Sequence, residues 1–284
     1  MSTSEYPTWA EELPFISSKQ NRVFKDAVAA SKRRGRWSDA LMLEGIRLIE
    51  TAVEAGFIPQ ALFLCLDLLA TKEVKRWEAF RNLMERQGRG ECIWTLSDHL
   101  FNHLAKTERP QGLIAFVEPP QFELENLKNP TRGYLIAAGV QDPGNLGTLI
   151  RIADAFGLDG FVCDDSSAWP WSQKVVRSTM GSLFHIPVMR VSDLGAVLDF
   201  LRKEGTVIVA TAMTGKPLPE IGNYVSLERP VALLMGNEGS GLPTDILAET
   251  DVTTTIPMDG RAESLNVAVA AGICCYELFP QQLG

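Results

Sequence analysis

The chain is poor in cysteine, has no long apolar run and carries a deficit of positive charge. Its five cysteines, Cys65, Cys92, Cys163, Cys274 and Cys275, are odd in number and scattered, with no C-x-x-C pair. That argues against a zinc site and a disulfide framework, so no metal is expected, and it fits a reducing cytoplasm. The longest apolar stretch, 265–276, carries Asn266 and falls short of the roughly 18 residues a membrane helix needs. Residues 1–5 lack the basic and apolar regions of a signal peptide, so none is expected. Internal repeats and low-complexity tracts are absent as well.

What is present is ordinary globular material: 284 residues, 45% apolar and 22% charged, enough for two modest domains or one large one. The net charge of −8 opposes a nucleic-acid partner in aggregate. Its distribution does not. Between 15 and 36 lie Lys19, Arg22, Lys25, Lys32, Arg33, Arg34 and Arg36, opposed only by Asp26. A basic arm on an acidic chain is a footprint for phosphates, with a solvated helix face as the alternative. Arg22, Lys25, Arg33, Arg34 and Arg36 are the candidates for contacting nucleic acid.

Apolar periodicity predicts helices over 21–34, 46–55 and 72–87 and a further one capped by Ser97 or Asp98, with strands at 40–43, 61–65, 93–96 and 111–117. This is a small α/β domain over 16–118, preceded by a polar tail, 1–15. Residues 119–131 are rich in proline and charge and read as a linker. From 132 to 284 the alternation is stronger. Strands are expected at 134–140, 160–163, 184–189, 207–211, 231–235 and 252–256, with helices at 143–156, 172–180, 194–204 and the C-terminus. The nearly uninterrupted apolar strand at 134–140 predicts a sheet covered on both faces.

Three segments share one layout, a buried strand running into a polar mouth. In Asp142-Pro143-Gly144-Asn145-Leu146-Gly147, Asp142 and Pro143 form an N-cap and first-turn pair. On the helix that follows, Arg151 lies roughly 140° from the centre of the apolar face and points out of the core. In Met235-Gly236-Asn237-Glu238-Gly239-Ser240-Gly241, three glycines surround one carboxylate, leaving room for backbone to touch a ligand. It is not a P-loop, since no lysine follows, and the chain has no G-x-G-x-x-G dinucleotide fingerprint. The third segment, from Ile256-Pro257-Met258 to Ser264-Leu265-Asn266-Val267, opens a helix whose first N–H groups face a site. Three such mouths in one α/β domain can converge on one pocket.

These three segments, in this order and spacing, resemble the motifs of the SpoU (TrmH) branch of the SPOUT methyltransferases. Asn21-Arg22-Val23-Phe24-Lys25, Leu43-Glu44-Gly45 and Thr107-Glu108-Arg109-Pro110-Gln111-Gly112 resemble the substrate-binding domain of that family. The resemblance covers about 16–280. It implies an α/β fold: a parallel-sheet SPOUT catalytic domain with a C-terminal trefoil knot, preceded by a small ribosomal-protein-like α/β substrate-binding domain. It implies methyl transfer from S-adenosylmethionine to a ribose 2′-hydroxyl of RNA by a cytoplasmic homodimer whose sites are lined by both chains. Ribosomal RNA, 23S rRNA above all, is favoured over tRNA; a tRNA enzyme or a non-catalytic RNA-binding protein of the same fold is the alternative. By motif position Met235, Gly236, Gly239, Ile256, Met258 and Leu265 would bind the cofactor, and Asn145, Arg151, Glu238, Ser264 and Asn266 would line the reacting side. The small-residue run 268–272 would pack against a partner subunit. Trp169 and Trp171 could stack a base, and His185 is read as structural.

Overall fold

A computed structural model describes residues 12–32, 34–57, 59–69, 92–119, 122–223, 229–261 and 264–279. The chain divides into two compact units, Met1–Pro120 and Gln121–Gly284.

In the first unit, β1 (Phe15–Ile16), β2 (Leu41–Glu44), β3 (Pro59–Leu64), β4 (Ile93–Leu96) and β5 (Leu113–Val117) form one sheet in the order β1-β4-β3-β5-β2. β1, β4 and β3 run parallel, and β5 is antiparallel to both its neighbours. Among the described residues the α-helices of this unit are α1 (Arg22–Ala30), α2 (Ile46–Glu54) and α3 (Asp98–Leu104). Phe24 and Ala27 of α1 and Phe101 of α3 join Trp37, Phe63 and Phe116 in one core. β1 straddles the expected end of the tail at 15: Phe15 pairs with Thr95, and Ile16 is buried. α1 starts because Asn21 Oδ1 accepts the N–H groups of Val23 and Phe24 at 2.9 and 3.3 Å. It ends short of 34 because the N–H of Arg34 folds back onto Ala29 O. The expected helix at 72–87 lies outside the described residues. The Glu44 carboxylate accepts from Lys106 N and from the Thr107 hydroxyl, binding the 106–112 loop to the end of β2.

In the second unit, β6 (Gly133–Ala137), β7 (Gly160–Asp164), β8 (Val188–Val191), β9 (Val207–Pro217), β10 (Val231–Met235) and β11 (Val252–Thr255) form an all-parallel sheet, ordered β11-β9-β10-β6-β7-β8. The connecting helices are α4 (Pro143–Ala155), α5 (Gln173–Ser178), α6 (Leu194–Lys203), α7 (Thr244–Ala248) and α8 (Val267–Leu278). Every residue of β6 and β10 is buried, as a sheet covered on both faces requires. Tyr134, Ile136, Ile208, Ala210, Ala232 and Leu234 pack with α6, and the period of two sends Leu135, Val209 and Leu233, also buried, to the opposite face.

Several elements differ from the periodicity, among them β6, which ends at Ala137 and not at 140. The strand expected at 184–189 begins only at Val188: Ser182–Phe184 is a 3-10 turn, and Pro187 has no N–H to give a ladder. β9 extends to Pro217 because β11 pairs with it twice, first with Val209 and Ala210, then across a bulge with Lys216 and Pro217. α7 carries too short a pattern to be read.

Gly147 faces α5. A Cβ there would fall 2.4 Å from Ser178 Cβ and 2.9 Å from Val175 O, so only glycine lets α4 and α5 approach this closely. Gly147→Ala is expected to destabilise the protein by about 1–3 kcal/mol through overpacking, with partial recovery in Gly147→Ala/Ser178→Gly. Denaturant unfolding checks this, and an unchanged midpoint for the single variant would remove the packing account.

Candidate active site

The loops that follow β6, β10 and β11 leave the same edge of the parallel sheet, the carboxyl edge at which such sheets bind ligands. Between the β10 and β11 loops lies a cavity of about 580 Å³. Met235, Gly236, Gly239, Ile256, Met258 and Leu265 all line it, as do Glu238 and Ser264. Thr211 and Met213, in the middle of β9, line it too. No sequence motif marks them; only the strand order, which places β9 beside β10, brings them in.

At the cavity edge three polar side chains from three loops are joined. Asn266 is the N-cap of α8, and its Oδ1 accepts the N–H groups of Ala268 and Val269 at 3.0 and 3.3 Å. Its amide nitrogen is thereby turned outward and donates to Asn145 Oδ1 at 3.0 Å. Asn145 in turn donates from Nδ2 to Glu238 Oε1 at 2.7 Å. Each amide fixes the orientation of the next, so the helix cap sets the direction of the whole chain.

Asn145 is held in place from α4. Asp142 caps the helix by accepting the N–H of Asn145 at 2.9 Å, with Pro143 in the first turn. That bond holds the Asp142 carboxyl below the usual carboxylate range, and Lys174, 3.6 Å away, adds to the effect. Arg151 is not brought to this cluster. It lies six residues further along α4, about 9 Å by helical rise, and is exposed.

The glycines of the β10 loop serve the loop itself first. A Cβ on Gly236 would fall 2.5 Å from Gly241 C, and Asn237 and Gly241 exchange two backbone hydrogen bonds across that approach. Gly239 has no such constraint and stays exposed at the cavity. Ala271, within the small-residue run expected to meet a partner, is fully buried in its own chain, where α8 packs against α4. The outward stripe of α8 is Val269, Gly272, Ile273 and Tyr276 instead.

Of the basic arm, Arg22, Lys25, Arg34 and Arg36 are exposed, and Arg33 lies outside the described residues. Arg36 rests its guanidinium 5.4 Å from the Trp37 ring centre. Trp169 and Trp171 are half-buried, and Arg190 lies 5.0 Å over Trp169. His185 follows the 3-10 turn and bonds Asp154 of α4 at 2.9 Å, fastening that turn to the helix. Among the described residues no group of His, Cys, Asp and Glu is arranged to hold a metal, and no helix is long and apolar enough to cross a membrane.

Residues 133–276 match the SpoU rRNA Methylase family, and 21–115 match the MRM3-like substrate binding domain. Among curated relatives, the 23S rRNA (guanosine(2553)-2′-O)-methyltransferase RlmP of Bacillus subtilis is 36% identical over 265 residues, covering 93% of this chain and 98% of the relative. Among solved structures, an AdoMet-bound rRNA methyltransferase from Sinorhizobium meliloti has a TM-score of 0.81 at 31% identity, over 95% of this chain and 98% of that one. The SpoU methyltransferase AviRb from Streptomyces viridochromogenes, in complex with AdoMet, has a TM-score of 0.77 at 29% identity, over 93% and 99%.

The two roles of Asn266 can be separated. Asn266→Ala should lose about 1 kcal/mol with the cap, whereas Asn266→Asp keeps the cap and should melt close to wild type. Thermal unfolding of the pair checks this; equal losses would show that capping is not what this side chain does.

Proposed function

The chain belongs to the SpoU rRNA Methylase family, and from that premise we propose an S-adenosylmethionine-dependent methyltransferase acting on a ribose 2′-hydroxyl of ribosomal RNA, 23S rRNA in the first place. The observation that carries the reading is the cavity lined by all six motif residues, with Glu238 shared between it and the amide chain. Its volume is in the range of small-molecule sites. Its lining, part backbone and part apolar side chain, suits the uncharged adenosine of such a cofactor.

Met235, Gly236, Gly239, Ile256, Met258 and Leu265 would hold the cofactor, which supplies an electrophilic methyl group on a sulfonium sulfur. Bound there, it would supply that methyl group to the ribose oxygen and retain the electron pair of its carbon–sulfur bond. The hydroxyl is a poor nucleophile until its proton is taken. Glu238 is the proposed acceptor, directly or through a water, with one carboxylate oxygen fixed by Asn145. Ser264, exposed on the cavity wall, would orient the ribose. Arg151 is proposed as a clamp on the target phosphate, because a guanidinium keeps its proton at neutral pH and makes a poor base. The first unit would supply the RNA platform, with Arg22, Lys25, Arg33, Arg34 and Arg36 on phosphates.

The proposal extends to a cytoplasmic homodimer and a trefoil knot. β11 stands at one edge of the sheet, yet α8 packs against α4 and β10. That return from the sheet edge to its centre between β11 and α8 supports a knotted path. The stripe of Val269, Ile273 and Tyr276 is apolar and exposed, with open space beside Gly272, and suits a second copy of the same helix. A shared rim of that kind would bring RNA held by Arg151 to a site that one chain leaves incomplete.

Labelled S-adenosylmethionine with rRNA or tRNA from cells lacking the protein is expected to label ribose in the rRNA pool. Label in neither pool, or on a base, would overturn the reading. Arg151→Lys should lower kcat/KM roughly tenfold or more, the scale of one lost charge-assisted hydrogen bond; near-normal turnover would end the clamp role. Ile273→Asp should sediment as a monomer where the wild type sediments as a dimer, and an unchanged dimer would exclude this face.

A further inference from the structure

We infer that Asn237 is the positioning residue that aims Glu238 at Asn145, by tying the β10 loop to the peptide of Gly139. The inference rests on the methyltransferase reading, because it assigns a role within that site.

Asn237 spends its whole amide on this task. Its Oδ1 accepts the N–H groups of Gly239 and Ser240 at 2.9 and 3.0 Å, which wraps the loop around Glu238. Those two donors decide the orientation of the amide, so Nδ2 must face the other way. There it donates to Gly139 O at 2.8 Å, across 98 residues of chain.

Gly139 is a suitable anchor because its other side is fixed as well. Its N–H donates to Asp164 Oδ1 at 3.0 Å, and that same oxygen accepts Ser167 N at 2.9 Å and Ser167 Oγ at 2.6 Å. Ser167 Oγ also accepts Val140 N at 3.0 Å. The backbone at Gly139 takes a φ of +76°, a conformation open to glycine at little cost. Gly139 is thus held by a side chain from the end of β7 on its N–H and by one from the loop after β10 on its carbonyl oxygen.

Glu238 is the next residue after Asn237, and Asn145 lies six residues after Gly139. The two loops are therefore joined by two side-chain hydrogen bonds, Asn237 to Gly139 and Asn145 to Glu238. The first fixes the height of the loop and the second uses it. A carboxylate that must meet a hydroxyl within hydrogen-bond reach depends on the bond that does not touch the substrate.

Asn237→Asp tests this. Its shape and its loop-facing oxygen are retained, but the donor to Gly139 O is replaced by a second oxygen. We expect kcat to fall roughly 10- to 100-fold, the scale of a misplaced catalytic group, while the calorimetric Kd for S-adenosylmethionine stays within about threefold of wild type. In a Glu238→Gln background the same change should cost nearly nothing, since groups acting as one unit are not additive. A full-rate Asn237→Asp enzyme would overturn the inference. So would a loss that multiplies in the Glu238→Gln background, or one that falls on cofactor affinity instead of kcat. Should that variant not fold, Asn237→Ser keeps an oxygen for the loop without the amide donor and carries the same comparison. Wild-type turnover separates the two claims: its absence overturns the methyltransferase reading, whereas its presence beside an unimpaired variant overturns this inference alone.

Discussion

The carboxamide of Asn266 has one oxygen, and the open end of α8 claims it. The first N–H groups of a helix have no partner inside the helix, and here two of them are satisfied by that single atom. The nitrogen of the amide is left no choice of direction. It meets Asn145, whose own nitrogen then has none either and meets Glu238. A local requirement of backbone chemistry is in this way transmitted across three loops to a carboxylate, without a charged group on the path. No rotation of one amide is possible without leaving two oxygens or two nitrogens face to face.

The sheet supplies the second constraint. Six parallel strands covered on both faces leave only their ends exposed, and the carboxyl ends of β6, β9, β10 and β11 lie side by side. The cavity is what remains between loops that must each turn back to a helix. Close backbone packing tightens the arrangement at Gly147, between α4 and α5, and at Gly236, within the β10 loop.

Much of this is legible in the chain itself. The helix starts at Asp142 and Asn266 are visible because capping uses few residue types in fixed places, and β6 is visible because burial on both faces leaves an unbroken apolar run. The three motif segments mark Glu238 and the six residues of the cavity wall. Other features follow from pairing partners, which a single sequence does not carry. The extension of β9 to Pro217 depends on β11, the pairing of Phe15 depends on β4, and Thr211 enters the cavity only through strand order. Arg151 is the converse case: its outward direction is legible, while its distance from Asn145 follows from the rise of α4. The inward burial of Ala271 is hidden because α8 is apolar on every side, so that periodicity cannot say which side meets its own chain.

α8 has little surface without an obligation. Ala271, Cys274 and Cys275 fill the interior against neighbouring elements, and burial raises the Cys274 thiol to about 12, keeping it protonated. Asn266 commits the first turn to the site, and the outward stripe is assigned above to a second chain. A helix used on its inner side, its outer side and its leading end has few positions at which drift is silent. Substitutions that persist there over evolutionary time should arrive in compensating sets, one on the helix and one on whichever surface it touches.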